Sequence, residues 1–263
     1  MRKLALVALC LFYAILSQAQ FTPDPQALYQ SGINKLIGSA QTQSVNGALN
    51  DLERSAQLGY VPAQIALGTM YERGDYVTAT PGLAVSYYRK AAEQGDPLAQ
   101  WLLGRMYYLG SGVSRDLPQA ERSLRPAADQ GNPFAQYLLG LVMKERDYTK
   151  AAPFFLSAAK QGLPQSQREL AILLADGRGV TQNRSDAYAW LLVAAEGNRH
   201  DNTLMQRLEG DLGSNGVEQA KAKAEQWKQT YTRNINARGC TGWSGEFDDV
   251  PSPPPLNVQR FCH

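Results

Sequence analysis

One phrase occurs twice in this chain, and its repetition limits the fold more than any other feature. The segment KAAEQGDPLAQWLLG, from Lys90 to Gly104, returns as PAADQGNPFAQYLLG from Pro126 to Gly140. The glycines that end alanine-rich segments recur at steps of 36, 36, 31 and 35 residues: Gly59, Gly95, Gly131, Gly162 and Gly197. A period of this size is typical of stacked two-helix repeats.

Each repeat predicts two helices, which we call A and B. Helix A carries the pattern AQWLLG, from Ala99 to Gly104, and helix B carries paired alanines such as Ala91-Ala92. Small residues at fixed positions let neighbouring helices approach closely, while the larger side chains fill the space between them. Gly95 predicts a left-handed residue that ends helix B, and Pro97 fits the first turn of the next helix A. No strand pattern competes, so the sequence predicts an all-α fold.

These phrases resemble the Sel1-like repeat, a relative of the tetratricopeptide repeat. The likeness rests on the elements LGxxY, GxGV and AAxxG and is clear over residues 62–198. Two GxGV elements, which begin at Gly110 and Gly177, correspond to the family's turn between helices A and B, and the third clear unit lacks it. No strand precedes these glycines, as a nucleotide-binding loop requires.

The resemblance implies a right-handed α-solenoid with about four repeats over residues 61–198. A divergent repeat is expected over 20–60 and capping helices over 199–236, because arrays need atypical ends that cover their last apolar face. Two helical stretches, 201–212 and 216–233, are predicted in the cap. Residues 237–263 are rich in glycine and proline and predict an irregular tail, in which Pro253–Pro255 favour polyproline II.

The first 19 residues have the pattern of a secretory signal peptide. Arg2 and Lys3 precede an apolar run, and small residues follow, which predicts cleavage between Ala19 and Gln20. The apolar run is short for a membrane span, so we expect export to the periplasm with no integral membrane segment after cleavage. The whole chain has 26 basic and 24 acidic residues, so removing Arg2 and Lys3 leaves equal numbers. Without a clustered basic face, the sequence predicts no nucleic-acid binding.

Two cysteines remain after that cleavage, Cys240 and Cys262. In an oxidising compartment an even count favours a disulfide. It would close a loop of 23 residues, which stabilises a fold by about 3 kcal/mol in the chain-entropy model. The alternative is two free thiols in the tail.

The sequence predicts no enzyme, cofactor or metal site. The only histidines, His200 and His263, lack the spacing of metal ligands or of a nucleophile motif. The segment SAAK from Ser157 to Lys160 fits the SxxK pattern of serine β-lactamases, but its companion motifs are absent and it occupies the repeat position of KAAE. Some cysteine-rich members of the Sel1-like family are linked to penicillin binding, whereas no repeat here contains cysteine.

By analogy with related repeats, helix A lines a concave groove. Trp101, Arg105 and Tyr108 form one stripe at spacing i, i+4, i+7, and Trp, Tyr and Arg are enriched at binding hot spots. We therefore predict a groove for a protein or peptide partner; the alternative is that Trp101 and Tyr137 are core residues. The expected role is a periplasmic scaffold or regulator, with a toxin-immunity protein and, less favoured, a β-lactamase-like enzyme as alternatives. The predicted groove residues are Ile65, Thr69, Glu72, Trp101, Arg105, Tyr108, Tyr137, Leu141, Lys144, Arg168 and Ile172.

Overall fold

A computed structural model describes residues 23–37, 42–195 and 202–231 of the chain. The described residues form helices and no strand, which confirms the all-α prediction for this part of the chain. Within the same ranges, none of the helices combines the length and the apolar character that a membrane span needs. The helices are α1 (Pro25–Ile37), α2 (Thr42–Gln57), α3 (Val61–Arg73), α4 (Pro81–Glu93), α5 (Pro97–Leu109), α6 (Leu117–Asp129), α7 (Pro133–Lys144), α8 (Tyr148–Lys160), α9 (Pro164–Asp176), α10 (Arg184–Ala195) and α11 (Asn202–Tyr231).

Several predictions from the sequence lie outside the described residues. These are the signal peptide with its cleavage site at Ala19–Gln20, the disulfide between Cys240 and Cys262, and the tail from residue 237. The handedness of the solenoid likewise stays a prediction.

The chain divides into two compact units, the first ending at Gln64 and the second beginning at Ile65. In the first unit, α1 packs on α2. Asp51 on α2 accepts hydrogen bonds from Ser31 (2.7 Å) and Lys35 (2.5 Å) of α1. These two helices occupy the stretch that the sequence predicts as a divergent repeat.

In the second unit, the helices pack in chain order as A and B pairs. Helices α3, α5, α7 and α9 are the A helices, and α4, α6, α8 and α10 are the B helices. From α4 onward each helix packs on the next, and the A helices α5 and α7 also pack on each other. The predicted two-helix unit is therefore confirmed, and α5, α7 and α9 each have neighbours on more than one side.

The helix ends follow from the predicted turn chemistry. Gly95 ends α4 with φ 87°, the left-handed conformation that glycine adopts without strain. Asp96 then caps α5 by accepting a hydrogen bond from the Ala99 N–H at 2.7 Å, and Pro97 stands in the first turn. The shortened third unit is also present, because α7 ends at Lys144 and α8 begins at Tyr148.

The paired Leu-Gly positions have a packing explanation. A Cβ placed on Gly104 of α5 would lie 2.5 Å from Leu124 Cγ of α6, and one on Gly140 of α7 would lie 2.6 Å from the Phe155 ring of α8. Each glycine therefore forms a notch that receives a large side chain from helix B. In the fourth A helix, Ala171 replaces this glycine.

Glutamines near the start of two A helices link their repeats to the end of the preceding helix B. Gln136 donates a hydrogen bond to the Ala128 carbonyl at 3.0 Å, and Gln167 donates to the Ala159 carbonyl at 3.1 Å. The last carbonyls of a helix have no partner within it, so a buried glutamine amide supplies one.

At the C-terminal end, α11 consists of two helices joined at a kink, in agreement with the two predicted stretches. Helix α11 has a non-helical residue at Gly213 (φ 63°, ψ 177°), which breaks it between the predicted segments. Trp190 of α10 packs on Trp227 of α11 with ring centroids 4.5 Å apart, and on Tyr231 at 5.4 Å. This aromatic cluster fixes α11 against α10.

Candidate binding face

The structure corrects the exposure predicted for the groove stripe. Trp101 is 0% exposed and Arg105 3% exposed, so an exposed patch built on these side chains and on Tyr137 is wrong. The predicted residues that are buried are Ile65, Thr69, Trp101, Arg105 and Tyr137. The half-buried ones are Glu72, Tyr108, Leu141, Lys144, Arg168 and Ile172.

The reason for this burial is the number of neighbours around each A helix. Helix α5 buries every residue from Ala99 to Met106, more than two turns on all sides. The Trp101 ring packs on Phe134 of α7 at 5.5 Å between centroids, and Tyr137 packs on Phe155 of α8 at 6.1 Å. A one-sided amphipathic pattern therefore fails here, because α5 contacts its own B helix α6, the preceding B helix α4 and the next A helix α7.

Arg105 belongs to a buried polar network between the first two clear repeats. Its guanidinium forms an ion pair with Glu72 of α3. Glu72 also accepts a hydrogen bond from the Tyr88 hydroxyl at 2.8 Å, and this hydroxyl lies 3.3 Å from Thr69 Oγ1. Burial lowers the pKa of Arg105 to about 10 and raises the pKa of Tyr88. Arg105 is therefore still a cation at neutral pH, and it serves to join α3 and α5.

A second polar cluster is accessible, and it centres on Tyr108 at the end of α5. Arg115, in the turn after α5, donates a hydrogen bond to the Tyr108 carbonyl at 3.0 Å and stacks over the Tyr108 ring at 5.4 Å. The same guanidinium forms an ion pair with Glu145, in the turn after α7. Burial and the nearby Glu145 carboxylate raise the pKa of Tyr108. The phenol is therefore neutral and able to donate a hydrogen bond.

The cluster continues to the fourth repeat through Lys144 at the end of α7. Its ammonium lies 2.6 Å from a carboxylate oxygen of Glu169 on α9. The Glu169 carboxylate makes a smaller contribution to the raised pKa of Tyr108 than burial and Glu145 do. We call this set the central face, and its residues are Tyr108, Arg115, Lys144, Glu145 and Glu169.

Sequence reasoning found Tyr108 and Lys144 but missed the other three. Arg115 and Glu145 lie in turns beyond the helical stripe, and Glu169 is one residue past the predicted Arg168. Arg115 pairs with Glu145, and Lys144 pairs with Glu169. In each pair the two opposite charges stand about one repeat apart along the chain, and this spacing is the signal that could have identified them.

The described ranges contain no cluster of metal-ligating side chains, that is, no group of three or more His, Cys, Asp or Glu side chains that could hold a metal ion. The SxxK segment lies on α8, where Ala158 and Ala159 are buried in the repeat packing.

The comparisons with known proteins agree with this architecture. The family model of the Sel1 repeat matches residues 61–96, 97–132, 133–163 and 164–198, each span holding one A and one B helix. None of the curated proteins matches the chain.

Two solved structures are similar over nearly the whole chain. A Sel1 repeat protein from Oxalobacter formigenes is 32% identical with a TM-score of 0.58, over 95% of this chain and 74% of that one. A protective antigen from uropathogenic Escherichia coli strains, which displays an SLR fold, is 25% identical with a TM-score of 0.62, over 94% of this chain and 62% of that one. With four consecutive repeats over residues 61–198 and such relatives, the chain belongs to the Sel1 repeat family.

Proposed function

We propose that this protein is a non-enzymatic, exported interaction module that holds a protein or peptide partner across its central face. Sel1 repeat proteins generally mediate protein–protein interactions and are typically not enzymes. The observation that carries the proposal is the central face itself, a polar cluster of exposed, half-buried and buried side chains from three successive repeats. A partner that contacts all five residues would therefore bind at one fixed position along the repeats.

The chemistry of the central face defines what it can bind. Lys144 and Glu169 are paired and partly desolvated, with side chains 30% and 11% exposed, so a partner completes the removal of water from an existing pair. Arg115 and Glu145 are more exposed and form the rim, where charges steer association more than they add affinity. Leu141 and Ile172, both half-buried, add apolar contact area. A partner segment with both apolar and charged side chains fits this mixture.

The proposed location is the periplasm, and its support is the signal pattern that ends at Ala19. N-terminal sequencing of the exported protein should begin at Gln20, and thiol titration of the denatured, unreduced protein should find no free cysteine. An intact N-terminus in the inner membrane would refute the export proposal, and two reactive thiols would refute the disulfide between Cys240 and Cys262.

The binding proposal is tested by quantitative capture from envelope extract with the mature chain as bait. A Tyr108→Ala/Lys144→Ala double variant should lose the captured partner, since truncating central anchors typically costs about 2 kcal/mol or more, roughly 30-fold in affinity. Lys160→Ala, on the exposed end of α8, is the matched control for loss of a lysine. Equal capture by all three proteins, each folded by circular dichroism, would refute the central face as the binding site.

A further inference from the structure

Tyrosines of the first two clear repeats form an aromatic surface. Tyr71 of α3 and Tyr87 of α4 stack with ring planes 4° apart and centroids 5.8 Å apart. The Lys90 ammonium lies 5.6 Å above the Tyr87 ring, and Arg89 donates a hydrogen bond to the Tyr107 hydroxyl of α5 at 3.1 Å. Three neighbouring helices thus present tyrosines with two exposed cations over or beside them.

Tyr76 lies in the turn after α3, and its backbone is unusual. It takes the position of the second glycine in the GxGV turn, which is Gly112 in the next repeat, and it keeps the left-handed conformation with φ 63°. This conformation is strained for a bulky side chain. The side chain is nevertheless 53% exposed. The turn folds back on α3, because the Thr80 N–H donates to the Tyr71 carbonyl at 2.7 Å.

The repeats themselves provide the comparison that separates packing from binding. One period later, Ser123 stands at the position of Tyr87 and Gly112 at that of Tyr76, and that repeat still forms the same two helices. The helix pair of a repeat therefore does not depend on Tyr76 or Tyr87, whereas Tyr71 recurs as Tyr107 in the LGxxY element of the repeat. Tyr71, Tyr87 and Tyr107 are half-buried, and Tyr76 is exposed. Tyrosines held in place by stacking and by cations have the composition of binding hot spots.

We infer that this tyrosine surface, made of Tyr71, Tyr76, Tyr87, Tyr107, Arg89 and Lys90, binds an extended acidic, proline-containing segment, and that the occupant is residues 246–255 of this chain. That stretch reads EFDDVPSPPP, with three carboxylates followed by four prolines. Proline-rich segments favour polyproline II and dock on aromatic-lined surfaces. The carboxylates complement Arg89 and Lys90, whereas the nearby Asp75 is already paired with Arg73 at 2.8 Å.

Because this segment belongs to the same chain, its binding would be an intramolecular event, which favours even a weak contact where the connecting residues span the distance. The tyrosine surface shares no residue with the central face. Failure of one proposal therefore leaves the other standing.

Zero-length carbodiimide cross-linking of the full-length mature protein, followed by peptide mass spectrometry, tests the inference. We expect amide cross-links from Lys90 to Glu246, Asp248 or Asp249. Tyr87→Ala should lower their yield about tenfold or more, as expected for a hot-spot tyrosine. Tyr148→Ala is the matched control, since Tyr148 also lies under a cation, Arg178 at 5.9 Å, but in another repeat.

A variant of the tail tests the same contact in a protein whose described residues are all unchanged, in case Tyr87→Ala impairs folding. Exchanging Pro251 and Pro253–Pro255 for alanine leaves every described residue and all three carboxylates unchanged, and it should lower the cross-link yield to a similar extent. Mixing ¹⁵N-labelled and unlabelled protein shows whether the segment comes from the same chain or from a second copy. Absence of the Lys90 cross-link, or a yield that neither variant lowers, would overturn the inference.

Discussion

Removing Glu72 should destabilise the protein more than removing its partner Arg105. Arg105 is 3% exposed, and its guanidinium pairs with the Glu72 carboxylate across α3 and α5. In Glu72→Ala the buried cation keeps no counter-ion, and its Nε already lacks a hydrogen-bond partner. Breaking a buried pair from one side costs about 3–5 kcal/mol. We expect a loss in this range for Glu72→Ala.

Arg105→Met should cost less, because the remaining carboxylate keeps a donor. The Tyr88 hydroxyl still donates to Glu72 at 2.8 Å, and the Glu72 side chain retains 12% exposure to water. We therefore expect about 1–3 kcal/mol, the range for a buried polar group with incomplete pairing. The double variant Glu72→Ala/Arg105→Met removes both charges. Its loss should be smaller than the sum of the single losses by about 1–3 kcal/mol, as for residues in one network.

The measurement is urea unfolding at pH 7, followed by circular dichroism, for the wild type and the three variants. The double-mutant cycle isolates the coupling between Glu72 and Arg105 from the packing lost with either side chain. Additive losses, or a Glu72→Ala variant within about 0.5 kcal/mol of the wild type, as at ordinary surface sites, would refute a buried and mutually dependent pair.

Three further predictions use the same unfolding assay. Trp101→Ala should cost about 3–5 kcal/mol, the usual loss for a core aromatic, because the ring is fully buried; a loss below about 1 kcal/mol would instead agree with an exposed groove residue. Gly104→Ala should destabilise by about 1–3 kcal/mol through overpacking, since its new Cβ meets Leu124 at 2.5 Å; adding Leu124→Ala should make the Gly104 substitution less costly than it is alone, and an unchanged penalty would rule out the notch. Burial acts to raise the pKa of Asp51, but hydrogen bonds from Lys35 and Ser31 outweigh it and hold the pKa below its ordinary value of 3.8. The stability that this group contributes is therefore present above pH 3.8 and lost as the pH falls through the folded-state pKa. Asp51→Asn should then make the free energy of unfolding fall less steeply at acid pH than it does in the wild type, and equal slopes for the two proteins would contradict this.

The fold was largely predictable because its determinants are local and recur. Gly95 and Pro97 encode the end of one helix and the start of the next through backbone conformation alone, so no knowledge of neighbours was needed. The Ala-Gln and Leu-Gly pairs were visible as markers, but their purpose was not. Only the packed structure shows that Gln136 caps a preceding helix and that Gly140 receives Phe155.

The exposure of side chains was not predictable by the same means. Helical spacing places Trp101, Arg105 and Tyr108 on one stripe, but it does not reveal how many helices surround that stripe. Because α5 packs on α4, α6 and α7, the first two side chains of the stripe are buried and only Tyr108, near the helix end, keeps access to solvent. On α5, the exposure of a side chain therefore depends more on how close it lies to the end of the helix than on which face of the helix carries it.

Variation between equivalent positions offers a better criterion for the binding positions of such an array. Gly68, Gly104 and Gly140 stand one period apart and stay the same, because each must receive a side chain from helix B. Four residues further along the same helices stand Glu72, Tyr108 and Lys144, an anion, a phenol and a cation. No common packing rule selects three such different groups, and each one instead pairs with a particular neighbour: Arg105, Arg115 or Glu169. The position is therefore free to differ from repeat to repeat, and that freedom is what a face needs to recognise a partner that is itself not repetitive.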